Sequence, residues 1–387
     1  MLNIENCCNC TACYHSCPRD AISLEVNSDG FPVPIIDSSR CIQCNFCENV
    51  CPMLHPNIDK YCEYDSPNVY GAIHKSAETR RDSQSGGAFT AISDAILDEG
   101  GIVYGCRLNE KFEAIHDRAA TKAERDLFRG SKYVQSNMGD VYPRVKADLL
   151  AGYKVLFSGT PCQISGLKNY LRQINTEKLV CVDLICHGVP SPKTWSDYLS
   201  FMLEKHHGSQ IQKVNFRNKN KFGWHSHVET VTIDGKEYDS KVYTDLFYAH
   251  TFFAPSCFAC PFRSTQRVGD ITIADYWGIK DAFPEMDDNK GVSEILVSSD
   301  KGKEVFNEAR HHLTYNETTI SKGMNGGMLA TCVQKTQLQE IQRKIYSEKG
   351  MKGLYSHYYS RRIKQMPKTA LAIPYRYLKK VFQVTKK

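Results

Sequence analysis

No two of the 25 glycines stand in G-x-G spacing, so the dinucleotide fingerprint G-x-G-x-x-G is excluded, and no G-x-x-x-x-G-K phosphate loop occurs. A flavin or nicotinamide would have to be held by loops of another design. No apolar run approaches the roughly 20 residues needed to cross a bilayer. The opening "MLNIENCC" has neither a basic region nor an apolar stretch, so no export signal is expected. The C-x3-C-x2-C spacing of radical-SAM sites is missing as well. Acidic residues stop at Glu348, whereas eleven lysines and arginines follow it. The formal charge of +6 therefore belongs to the tail, and the body is mildly acidic, which argues against a nucleic-acid-binding body.

Cysteine, by contrast, is abundant: there are 17, nine of them within the first 51 residues. They are clustered rather than spread as in a secreted disulfide framework, so a reducing, cytoplasmic compartment is expected. Residues 7–18 read C-x2-C-x2-C-x3-C-P through Cys7, Cys10, Cys13 and Cys17. Residues 41–52 repeat the pattern through Cys41, Cys44, Cys47 and Cys51. Three cysteines at this spacing wrap one 4Fe-4S cube, and the proline-marked fourth ligates the other cube. The expectation is one cluster on Cys7, Cys10, Cys13 and Cys51 and a second on Cys41, Cys44, Cys47 and Cys17. The plain alternative is a pair of four-cysteine zinc sites, but zinc ribbons use two C-x2-C pairs around a long insert. Cys8 is surplus, since the second repeat has Ile42 in its place.

The expected fold class is α/β (α+β). A two-cluster ferredoxin fold covers residues 1–55, with a strand over 21–26, a turn over 27–30 and an irregular return arm over 31–37. The polar, turn-rich stretch 55–68 reads as a linker. Strands and helices then alternate from about residue 69 to 200, antiparallel strands fill 210–245, and a basic helical tail covers 321–387.

A second cysteine set is dispersed: Cys162, Cys186, Cys257 and Cys260. Cys162 and Cys186 follow predicted strands, at the carboxyl ends where α/β sheets bind ligands. On spacing alone the four fit a third 4Fe-4S cluster, a zinc ion or a dithiol. Cys62, Cys106, Cys181 and Cys332 read as buried or free thiols. "SQSGGAFTAI" (83–92) opens a helix and suits a phosphate. "FRGSKYVQS" (128–136) reads either as a cofactor loop or as a surface loop. Asp270 and Asp275 should face opposite sides of a strand. His225 and His227 should share a strand face, as a metal pair or simply as polar residues.

Together "SGGAFTA", "GSKYVQS", "GTPCQISGL", "DLICHGVPSP", "KFGW", "CFACPF" and "GDITIADYWG" occur in this order over about residues 70–280. The chain so resembles the family of beta subunits of coenzyme F-420 hydrogenases and dehydrogenases, flavin and iron–sulfur proteins of which several carry an N-terminal two-cluster ferredoxin. The resemblance implies FAD held near Ser85, Gly86, Gly87 and Thr90, near Lys132 and Tyr133, and near Ser158, Gly159 and Thr160. It also favours the third cluster on Cys162, Cys186, Cys257 and Cys260. It divides the flavin part into an N-terminal region (69–150) and a C-terminal region (151–320). The implied activity is two-electron chemistry on an organic substrate or deazaflavin, fed by a ferredoxin or partner subunit. His187 is the candidate general acid. The rival is a non-catalytic electron-transfer adaptor between two enzymes. The tail's readings are contact with an anionic membrane surface, an acidic partner, RNA, or a solvated helix.

Overall fold

The structure is a computed structural model that describes residues 4–365. In the N-terminal unit β1 (Ile22–Val26) and β2 (Pro32–Ile36) pair antiparallel, from Ile22 opposite Ile36 to Val26 opposite Pro32. Asn27 closes the turn, its side-chain oxygen accepting from the backbone of Asp29 and Phe31. Residues 31–37, expected as an irregular arm, thus contain a strand. Its prolines are tolerated because each strand of a two-stranded ribbon keeps one unpaired edge.

The rest is built on one large sheet. Its strands are β3 (Asn68–His74), β4 (Ile102–Leu108), β5 (Ala114–Ala119), β6 (Val155–Gly159) and β7 (Leu179–Leu184). A separate antiparallel sheet of β8 (Ile211–Asn215), β9 (Glu229–Ile233) and β10 (Lys236–Ser240) follows, with β9 and β10 joined at Asp234-Gly235. The large sheet then continues with β11 (Ile271–Asp275), β12 (Ser293–Val297) and β13 (Leu313–Thr318), in the order β13-β3-β12-β11-β7-β6-β4-β5. Strands β4, β6, β7 and β11 run parallel; the remaining pairings are antiparallel. Regions 69–150 and 151–320 therefore contribute strands to the same sheet.

The parallel strands read as continuous apolar runs because both faces are covered. Tyr104, Val155, Phe157 and Cys181 pack in one core, while the alternating Val103, Leu156, Val180 and Val182 pack in the other. The first core also takes in Cys8, Cys10, Ala12 and Val50, so the N-terminal unit lies against this face of the sheet.

Helix Pro161–Tyr170 makes that contact possible. Its buried Asn169 accepts from Asn57 (2.7 Å) and from the Tyr61 hydroxyl (2.8 Å), and donates to the carbonyls of Val50 and His55. Ser165 donates to the carbonyl of Pro56 at 2.9 Å. Stretch 55–68, expected to be a linker, is therefore a docked segment. Asn57, Tyr61 and the carbonyls of His55 and Pro56 bond the main domain, while Asp59, Lys60, Asp65 and Ser66 stay exposed.

At the other end, helix Gln337–Gln365 breaks at Gly350 and returns across the body. Arg343 pairs with Asp29, Arg361 with Asp245, and Met351, Leu354 and Tyr358 are buried. These residues of the expected helical tail are packed against the body. The membrane, partner, RNA and solvated-helix readings apply to residues 358–387, of which 366–387 lie outside the described residues. No helix among the described residues is long and apolar enough to cross a membrane.

Candidate redox site

The two cysteine repeats share a backbone design. Asn9 and Thr11 in the first loop have φ of 59° and 65°; Gln43 and Asn45, 34 positions later, have 56° and 59°. Each loop runs into a short helix, Ala12–His15 or Phe46–Asn49. Left-handed residues at alternate positions turn backbone N–H groups inward, which suits a negatively charged cluster. The Asn9 backbone N–H points to the Cys7 sulfur at 3.4 Å, and that of Ala21 to the Cys17 sulfur at 3.2 Å.

Cys7, Cys10, Cys13 and Cys51 line one cavity beneath Pro32 and Pro34. Burial, with Cys10 and Cys51 close by, pushes the Cys7 thiol up to about 12, and Cys13 is raised by burial and the same neighbours. Thiols this costly to ionise give up their protons when a metal core binds. In the outer half Cys44 is exposed and lies near Cys47. Arg40 donates to the carbonyl of Arg19, which brings the Cys41 loop beside that of Cys17. Among the described residues no three His, Cys, Asp or Glu side chains gather tightly enough for a single metal ion; the thiols instead ring cavities.

The dispersed set converges. Cys162 sits in the first turn of helix Pro161–Tyr170, just past β6, and Cys186 lies two residues past β7. Cys257 is in the 3-10 turn Pro255–Ala259, followed by Cys260. The Ala254 N–H donates to the carbonyl of Val189, and Arg263 to that of His187 at 2.6 Å; these bonds clamp the two loops together. All four cysteines line one cavity, with Cys8 as a fifth. Burial pushes Cys186 up to about 11 and Cys260 up to about 12, each with others of the set beside it. Hydrogen bonding to Cys10 and Cys162 holds the Cys8 thiol protonated, and the same contact favours the Cys162 thiolate.

The next cavity, of about 750 Å³, lies at the carboxyl ends of β4, β6, β7 and β11. That volume is ample for a small-molecule cofactor with a substrate beside it. Cys186 and Thr160 belong to both cavities. Ser85, Gly87, Thr90, Lys132, Tyr133, Ser158, Gly159 and His187 line it too. Gly86 stands just behind the wall, donating to Ser293 at 3.0 Å. Gly87, at φ 95°, caps helix Ala88–Leu97 and turns its N-terminus toward the cavity. Lys132 donates to the carbonyls of Phe128 and Arg129, both at 2.9 Å, and burial lowers it to about 8.

Three histidines in the wall are neutral. Burial holds His187, His227 and His116 down to about 4. The His187 ring shares a proton with His250 at 2.9 Å. His116 meets the carbonyl of Ser158 through Nε2, while its buried Nδ1 has no partner among the described residues. His116 could not be singled out from sequence, because β5, which carries it, has no clear apolar alternation. His225 and His227 are not on a strand: His225 meets Asp287 at 3.0 Å and His227 bonds the Tyr248 hydroxyl, so they make no pair. Asp270, just before β11, is buried and accepts from the Cys181 N–H at 2.6 Å.

Asp275 ends β11 and joins two distant motifs. It accepts from Arg217 at 2.5 Å and from the Trp224 indole at 2.8 Å. Trp224 and Trp277 stack with centroids 4.9 Å apart, and the Arg217 guanidinium lies 4.8 Å from the Trp277 ring. "ADYWG" thus lines the cavity through Ala274, Asp275 and Trp277, and the buried Trp224 of "KFGW" backs that wall.

Residues 152–322 match the family described as the C terminus of the coenzyme F420 hydrogenase/dehydrogenase beta subunit, and residues 6–54 match the "4Fe-4S dicluster domain". Among curated proteins the chain is similar to the F subunit of the F(420)H(2) dehydrogenase of Methanosarcina mazei, 23% identical over 227 residues. That match covers 56% of this chain and 61% of the relative, so the chain spans less than two thirds of that protein's length. Among solved structures it resembles a chain of the F420-reducing nickel–iron hydrogenase complex from Methanosarcina barkeri. There the identity is 19% and the TM-score 0.47, over 75% of this chain and 91% of the other.

Proposed function

We propose an electron-transferring enzyme function for this chain, which belongs to the family of coenzyme F420 hydrogenase/dehydrogenase beta subunits and carries an iron–sulfur dicluster domain. It exchanges electrons between a ferredoxin-like donor or partner subunit and FAD, for two-electron reduction or oxidation of an organic substrate or deazaflavin. The observation that carries this reading is a row of three adjoining cavities. Cys8 is shared by the first two, and Cys186 and Thr160 by the second and third.

When bound, the clusters supply single-electron steps and FAD supplies two-electron chemistry. Position and the exclusion of water are the chain's own part. The inner cluster's ligands are Cys7, Cys10, Cys13 and Cys51; the outer one's are Cys17, Cys41, Cys44 and Cys47. The exposed Cys44 makes the outer site the port for a protein partner. Cys162, Cys186, Cys257 and Cys260 hold the third centre. Ser85, Gly86, Gly87, Thr90, Lys132, Tyr133, Ser158, Gly159 and Thr160 are the residues that would hold FAD. Burial disfavours the imidazolium of His187, which hydrogen-bonds His250, so at pH 7 it is a weak base and lacks the extra proton a general acid would give. A non-catalytic adaptor needs no room for a substrate; the size and polar lining of the third cavity support the enzyme. None of the seventeen cysteines is in a disulfide, which suits the reducing cytoplasm.

The test is anaerobic turnover of the full chain with reduced ferredoxin as donor and coenzyme F420 as acceptor. The expected result is bleaching of bound FAD followed by reduction of the acceptor. A protein that binds no flavin, or whose flavin stays oxidised while its iron–sulfur absorption bleaches, overturns the reading.

A further inference from the structure

Cys8 has no ligand role in the repeat, yet it occupies the most connected position in the row. The equivalent residue of the second repeat, Ile42, is 57% exposed, whereas Cys8 is 6% exposed. The loop itself does not demand burial at this position; the main domain imposes it. Cys8 lines both the inner-cluster cavity and the cavity of the dispersed cysteines. Cys10 lines the first of these cavities beside it and Cys162 the second. Its backbone is bonded directly to Cys7. Helix Pro161–Tyr170, which carries Cys162, comes close through Gly166: a Cβ there would lie 2.9 Å from the Cys10 sulfur.

Five thiols are one more than a 4Fe-4S cube takes. A thiolate-ligated cluster carries net negative charge, and hydrogen bonds to its sulfurs stabilise the reduced, more negative state. An apolar residue in this position would leave the Thr160 hydroxyl, 3.2 Å away, as the side-chain donor to the Cys162 sulfur. A thiol supplies one S–H without bringing a charge into a buried space.

We propose that Cys8 is a positioning residue that donates its S–H to the Cys162 sulfur, joins the inner cluster site to the dispersed centre and raises the potential of that centre. The proposal rests on reading the dispersed cysteines as an iron–sulfur site. No bond to iron is made or broken at Cys8.

The test is an EPR-monitored redox titration of the anaerobically purified full chain, beside Cys8→Ala and Cys8→Ser, with iron and sulfide counts on each. Cys8→Ala is expected to keep the wild-type iron content. It should make reduction of the dispersed centre about tenfold less favourable at a given potential, which for one electron is about 59 mV. The outer cluster should titrate as before. Cys8→Ser keeps a donor and should stay near wild type. An unchanged potential in Cys8→Ala overturns the proposal, as does a serine variant that behaves like the alanine one. Loss of about four irons in Cys8→Ala overturns it too, since Cys8 would then be a ligand. These three results leave the functional reading intact. A wild-type protein with about eight irons, hence no third centre, removes the proposal, whereas a protein that binds no flavin removes the functional reading.

Discussion

The two cysteine loops share a spacing and a left-handed backbone pattern, but their surroundings are opposite. The first loop is covered by helix Pro161–Tyr170 and the docked segment 55–68; the second keeps Ile42, Cys44 and Phe46 at the surface. Local sequence makes the loops alike, and tertiary docking makes them unequal. One half of a near-symmetric repeat becomes the inner end of a row of cavities, and the other stays at the surface.

The largest effects should follow removal of ligands across that inequality. Cys51→Ala and Cys17→Ala should each lose about four of roughly twelve irons. On the proposed crossed assignment of the proline-marked ligands, Cys51→Ala should empty the buried site although Cys51 lies in the second repeat. Cys17→Ala should empty the exposed one. Iron analysis with EPR separates the two, and emptying in the uncrossed order would break the assignment. Cys162→Ala should remove a similar amount of iron while leaving both dicluster signals.

Next in size is the far end of the buried half. Arg217 is fully enclosed and its ion pair with Asp275 is nearly so. Asp275→Ala should lose about 3–5 kcal/mol in denaturant unfolding, because it strands a buried cation. Gly166→Val should cost about 1–3 kcal/mol by overpacking against Cys10. It should also loosen the N-terminal unit, read as faster proteolysis near residues 55–68. A variant as stable and protease-resistant as wild type would mean that the inner loop is not held where the structure puts it.

The last effect appears only on acidification. His187, His227 and His116 gain a proton near 6.5 in the unfolded chain but only near 4 in the fold. Between those values the unfolded state binds more protons, so stability falls as pH drops from about 6.5 toward 4. His187→Gln should flatten part of that slope in thermal melts at stepped pH. The exposed loop, which has no such histidine, should contribute nothing to it.

The repeat was fully legible in the sequence because its ligands are local: spacing alone places Cys7, Cys10 and Cys13 on one loop. The parallel strands were legible too, since burial on both faces leaves unbroken apolar runs such as "YKVLFSG" and "KLVCVDLIC". Strand β2 was hidden by its prolines, and β5 and β13 by mixed polar residues at the sheet edges. The docking role of 55–68 was hidden because hydrogen bonds to Asn169 look, in sequence, like solvation. The convergence of Cys162, Cys186, Cys257 and Cys260 depends on strand order, which no spacing reveals. Cys8 could be recognised as surplus, but its place between two cavities could not.

The most direct test of the row of cavities is a count of iron, acid-labile sulfide and flavin on the full chain purified without oxygen. The account predicts about twelve irons, about twelve sulfides and about one FAD. About eight irons, or zinc without sulfide, would contradict it.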